Sequence, residues 1–188
     1  MEGKKKAKRV TRGFLLGLAN TIHSSRDRTF LNLCRGTLQN GPDPVDGKRT
    51  MHCGLGELYF AITGRQPDQD GVSESDVVNL AVQQSPLGGT ALKARDAAME
   101  ALDSLPEALR RAALRELEEL ETEEGDDDYV SPFASEAEVK FRKALDAIPT
   151  ENDRDGCSEE RCTVATYKDR SKRVAAKLRE AARALPSG

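Results

Sequence analysis

The chain has 188 residues, 37% hydrophobic and 32% charged, with 29 Lys/Arg against 32 Asp/Glu and a formal net charge of −3. No run approaches the ~20 apolar residues that a membrane-spanning helix needs, so no span is expected, and the length suits one compact domain with appendages. Tryptophan is absent and the aromatic residues are five Phe and three Tyr, so the core must be aliphatic and alanine-rich, which favours packed helices.

At the N-terminus, Lys4, Lys5, Lys6, Lys8, Arg9 and Arg12 precede the apolar residues 14–19. This is the outline of a secretory signal, but the apolar part falls short of the ~7 to 15 residues of a signal core. Residues 1–12 are read instead as a basic tail leading into a helix. Four cysteines, Cys34, Cys53, Cys157 and Cys162, do not make a disulfide scaffold in a chain this long, and a reducing, cytoplasmic setting is expected.

Helical periodicity recurs along the chain. Phe14, Leu15, Leu18 and Ile22 form one apolar stripe, and Phe30, Leu31, Cys34 and Leu38 form another. Residues 41–50 read as a polar loop, because Pro42 and Pro44 remove donors and Gly41 and Gly47 loosen the backbone. Leu55, Leu58, Tyr59 and Ile62 then share one helix face, with Gly64 placed for a left-handed cap. After a loop at 64–72, Ser73 and Asp76 suggest a capping box for a helix through residues 77–82, although its valines also suit a buried strand.

Residues 86–89 break the chain, and Thr90 is expected to cap the alanine-rich helix that carries Leu92, Met99 and Leu102. Ser104, Pro106 and Glu107 mark a new start, followed by Leu109, Ala113, Leu117 and Leu120; the pair reads as a helical hairpin or a kinked helix. Ser135 and Glu138 form another expected capping box, behind which Phe141, Ala144, Leu145 and Ile148 line up until Pro149 stops the helix. A last helix over about 164–185 has Val174, Leu178, Ala181 and Leu185 as its apolar edge. The fold expected is mainly α, an irregular bundle of about six to eight helices, with room for two subdomains, 13–85 and 90–188, and an acidic linker near 121–134.

Charge is laid out in three blocks: residues 1–65 carry a net +7, residues 66–160 a net −16, and residues 161–188 a net +6. The near-neutral total conceals surfaces of opposite sign. Nine carboxylates fall within the thirteen positions 116–128, and Glu118, Glu121, Glu124, Asp126, Asp127 and Asp128 are the candidate contacts for a basic partner protein. Such a surface could also mimic a phosphate backbone and inhibit a nucleic-acid-handling protein. The basic tail and the last helix offer the opposite chemistry: Lys168, Arg170, Lys172, Arg173, Lys177 and Arg179 are the candidate phosphate contacts of a nucleic-acid-associated protein.

Reactive constellations are sparse. His52, Cys53, Cys157 and Cys162 contain soft metal ligands, yet only one wide Cys pair exists where structural zinc normally shows two short ones. In an EF-hand register the acidic turns with Gly71 and Gly156 place Val77 and Cys162 where a bidentate Glu is required, so neither is a calcium loop. His52 and Cys53 are neighbours and point apart on regular structure, and no nucleophile elbow, zinc-protease pair or phosphate loop occurs. The expectation is a non-catalytic, cytoplasmic interaction or regulatory protein that binds a partner protein, without catalytic residues, metal or cofactor. A nucleic-acid-associated protein is the alternative, and a zinc- or Cys/His-dependent protein the third.

Overall fold

A computed structural model describes residues 7–24, 39–42, 50–67, 71–122, 131–156 and 163–187. These comprise seven α-helices and two short strands: α1 (Arg12–Ser24), β1 (Gln39–Pro42), β2 (Thr50–His52), α2 (Gly54–Thr63), α3 (Glu74–Gln84), α4 (Thr90–Asp103), α5 (Glu107–Thr122), α6 (Glu136–Asp153) and α7 (Val164–Ala184). The fold is mainly α, as the periodicity indicated. The helix expected around Phe30 and Leu38 and residues 123–130 of the expected acidic linker lie outside the described residues, while residues 121–122 belong to α5.

The N-terminal and C-terminal helices pack together, and this pairing organises the molecule. Leu15, Ala19 and Ile22 of α1 are buried at spacings of four and three, in one core with Val174, Leu178 and Ala181 on the predicted edge of α7. Arg179 Nη2 donates to Asn20 Oδ1 at 3.0 Å across this contact, and Arg12 Nη1 donates to Ser187 Oγ at 2.8 Å. The chain entering α1 is docked as well: Lys8 N donates to Ile62 O and Val10 N to Gln84 O, each at 2.9 Å, with Val10 fully buried. Residues 7–11 of the basic segment therefore bridge the C-terminal ends of α2 and α3.

α6 lies against α7 and also receives α2 and α3, so residues of 13–85 and of 90–188 contribute to one core. The closest approach is at Gly54, where a β-carbon would sit 2.6 Å from Ile148 Cγ2 and 2.9 Å from Val174 Cγ1. Only glycine lets the first turn of α2 reach this depth. Asn152, also fully buried, accepts from Gly54 N at 3.2 Å and fixes the same turn.

Local signals set most helix ends. Cys53 is the N-cap of α2, its Sγ accepting from Gly56 N at 3.3 Å, and Gly64 closes the helix at φ +71° with its N–H on Phe60 O. Ser73 and Asp76 form the expected capping box on α3, with Ser73 Oγ accepting from Asp76 N at 3.2 Å and Ser73 N donating to Asp76 Oδ2 at 2.9 Å. That segment is a helix, with Val77, Val78, Ala81 and Val82 buried; four valine and alanine contacts to the core outweigh the β-branched preference for strand.

Four local expectations are corrected. Residues 41–50 are not wholly loop: Gln39 pairs with His52 and Asn40 with Met51 in an antiparallel ladder that slips before Pro42 and Thr50, where proline has no N–H to offer. Thr90 does not cap α4; Gly89 holds that position and Thr90 Oγ1 donates back to Leu87 O at 2.7 Å. Only half of the Ser135 capping box forms, because the Glu138 carboxylate turns to Arg142 Nε at 3.1 Å instead of to the cap. Pro149 does not stop α6, which runs on to Asp153. One lost N–H is offset there by the anchoring of the final turn, through Asn152 on α2 and through Glu151 O, which accepts from Arg173 Nε at 2.9 Å.

Candidate functional site

α4 and α5 form an arm joined through residues 104–106, where Ser104 Oγ donates to Ala101 O at 2.6 Å and Arg110 Nη1 meets Asp103 Oδ1 at 3.5 Å. No residue of α4 is buried. Leu92 and Leu109 are each 59% exposed, and Met99 and Leu105 are also open to solvent. The two helices carry apolar residues at helical spacing, yet none of those on α4 is buried. The Glu138 carboxylate lies 3.4 Å from Thr90 Oγ1 and marks the root of the arm on α6.

The arm leads into the acidic run. Glu118 and Glu121 fall in the C-terminal half of α5, while Glu124, Asp126, Asp127 and Asp128 lie outside the described residues. A helix C-terminus presents unpaired carbonyls and a partial negative charge, so carboxylates there are disfavoured by typically ~0.3 to 1 kcal/mol each. No basic residue occupies the last turn of α5 to offset them. Local helix electrostatics therefore does not account for this concentration of negative charge.

The basic residues of α7 divide into two groups. Arg170 is fully buried, with Nη2 on Asp155 Oδ1 at 2.8 Å and Nε on Asp155 Oδ2 at 3.2 Å, and its guanidinium lies 5.3 Å from the Tyr167 ring centroid. Arg173 joins the same carboxylate, Nη2 to Oδ2 at 2.9 Å. These two arginines clamp the end of α6 to α7 and are committed within the fold. Lys168 and Lys172 are exposed, the latter 3.2 Å from Asp169; Lys177 sits 3.0 Å from Glu180, and Arg179 reaches α1. The candidate phosphate contacts thus do not form one continuous face.

His52 and Cys53 have structural tasks. The buried His52 ring has Nδ1 2.8 Å from Glu57 Oε1 and Nε2 2.5 Å from Gln66 Oε1, and stacks on Phe60 with centroids 5.4 Å apart. Both ring nitrogens are thereby engaged, which leaves neither free to take a proton from a nucleophile. Cys53 is buried and spends its sulfur on the α2 cap. Cys157 and Cys162 lie outside the described residues, and among the described residues no three His, Cys, Asp or Glu side chains group as metal ligands would. The structure brings His52 and Glu57 together, as their shared segment allowed; Gln66, fourteen residues on, carried no sequence signal.

The Asp155 clamp was equally hidden, since Asp155 sits in an ordinary acidic turn fifteen residues before Arg170. The open arm had a faint signature: α4 carries five alanines among its fourteen residues but only Leu92, Met99 and Leu102 as large apolar side chains, too few to bury it firmly. No described helix is long and apolar enough to cross a membrane. Comparison with protein-family models, curated proteins and solved structures gives no match.

Proposed function

We propose that the chain is a non-catalytic interaction protein that docks a partner protein on the α4–α5 arm, with the acidic end of α5 as a charged flank. One observation carries this: of the six large apolar side chains most open to solvent among the described residues, Leu92, Met99, Leu105 and Leu109 all belong to the arm. Exposed leucines on an otherwise unburied helix cost solubility and contribute nothing to the core, so a covering partner gives them a physical reason. The carboxylates at the wrong end of the α5 dipole fit the same reading, as does the absence of a free imidazole nitrogen at His52. A cytoplasmic setting goes with it.

A second reading, association with nucleic acid, is supported only by the basic residues left on the outside of α7, chiefly Lys168 and Lys172. Affinity capture on the tagged chain at low and moderate salt, with and without nuclease, separates the two. Docking on the arm predicts a nuclease-resistant protein that is lost with Leu92→Ser/Leu109→Ser and weakened by Glu118→Gln/Glu121→Gln. Capture indifferent to both variants, or material released by nuclease and abolished by Lys168→Gln/Lys172→Gln, would replace it.

A further inference from the structure

We infer that the partner covering the arm is a second copy of this chain, paired antiparallel along α5 about a two-fold axis. This rests on the arm being a docking surface and names its occupant. α5 spans 16 residues, about 24 Å, and its charge is split lengthwise. After Glu107 in the first turn, Arg110, Arg111 and Arg115 come first along the helix, and Glu116, Glu118, Glu119 and Glu121 follow in the C-terminal part. α4 repeats the division, with Lys93 and Arg95 before Asp96, Glu100 and Asp103.

A partner of uniform sign would be attracted by one half of α5 and repelled by the other. A second α5 running the opposite way meets neither difficulty. Crossing near Leu114, it brings the basic turn of Arg110 and Arg111 level with the acidic turn of Glu118 and Glu119 of the other copy, and Leu109 level with Leu120. An isologous two-fold interface satisfies both contacts twice with one surface patch. The ion pairs these arginines make within the chain, Arg110 with Asp103 and Arg111 with Glu107, join side chains that are 41% to 74% exposed. Such pairs are weak and readily exchanged. The exposed leucines supply the apolar part of the contact, and charge fixes its direction.

Sedimentation velocity and light scattering over low- to high-micromolar concentrations test this with the full chain. The wild type is expected to dimerise. Arg110→Glu/Arg111→Glu leaves Arg115 as the one cation on an otherwise acidic α5, and Glu118→Arg/Glu119→Arg turns its balance from acidic to basic. Each alone should self-associate at least about tenfold more weakly, and mixing the two should restore a heterodimer. Leu109→Ser is the second variant, and it should weaken the dimer with the far-ultraviolet circular dichroism unchanged. A wild type that stays monomeric at the highest concentration overturns the inference, as does a dimer that ignores these substitutions or charge-reversed chains that fail to recover on mixing. A monomer that still captures a different protein through Leu92 and Leu109 defeats self-pairing alone and leaves arm docking standing. Variants that alter neither association nor capture defeat both.

Discussion

Arg170 on α7 and Asp155 beyond the end of α6 form a two-point ion pair, Nη2 to Oδ1 at 2.8 Å and Nε to Oδ2 at 3.2 Å, with the arginine entirely removed from solvent. Arg173 shares the carboxylate, so one acidic side chain organises two cations at the point where α6 gives way to α7. Removing one member of a buried pair is costly because the other charge is left without compensation. Asp155→Ala should therefore destabilise the chain by about 3 to 5 kcal/mol in urea unfolding. The double variant Asp155→Ala/Arg170→Met replaces the stranded charge with an apolar chain of similar reach and should recover most of that loss. Equal destabilisation by the single and double variants would contradict it.

Gly54 lets α2 approach α6 and α7 to within the width of a methyl group. Gly54→Ala places that methyl 2.6 Å from Ile148 Cγ2 and 2.9 Å from Val174 Cγ1. The expected cost is about 1 to 3 kcal/mol, the usual range for overpacking. Gly54→Ala/Val174→Ala should be less destabilised than the sum of its singles, a coupling readable from a thermal-unfolding double-mutant cycle.

Glu74 opens α3 half-buried, and burial pushes its carboxyl above the ordinary range, with Asp153 and Asp146 pushing the same way. A raised carboxyl pKa means that the folded state holds the proton more tightly than the unfolded one. Stability from this site is thus greatest when the group is protonated, and it falls as pH rises through the shifted range. Glu74→Gln should raise the melting temperature at pH 7 relative to wild type, with the advantage shrinking as pH falls through the raised range and gone below the ordinary value of 4.5. Asp76, held down by the backbone and side-chain hydrogen bonds of Ser73, works oppositely: its contribution is present at neutral pH and lost as acid protonates it. A lower melting temperature for Glu74→Gln at pH 7 would refute the assignment.

His52 ties β2, α2 and the turn after the α2 cap together through Glu57 and Gln66. His52→Ala leaves both partners facing a buried gap and should cost at least about 1 to 3 kcal/mol. Glu57→Gln keeps one hydrogen-bonding oxygen and should cost less. Chemical denaturation of the two variants checks the order.

Spacing and capping signals in the sequence alone determined that the chain is mainly helical, where α2 ends, where α3 begins and which residues of α7 face inward. These are local matters: a capping serine, a glycine with positive φ and an apolar spacing of three and four act within a few residues of themselves. What lies between elements was decided in three dimensions. That α1 would find α7, that Pro149 would be carried inside a helix, and that Arg170 would turn from a candidate phosphate contact into a buried clamp all depend on partners 15 to 175 residues away. The candidate docking surface shows the same division. The sequence displayed the acidic run, but the exposure of Leu92 and Leu109 follows from the core having been completed by the other helices, because an apolar spacing reads alike whether a helix is covered by its own chain or left open for another.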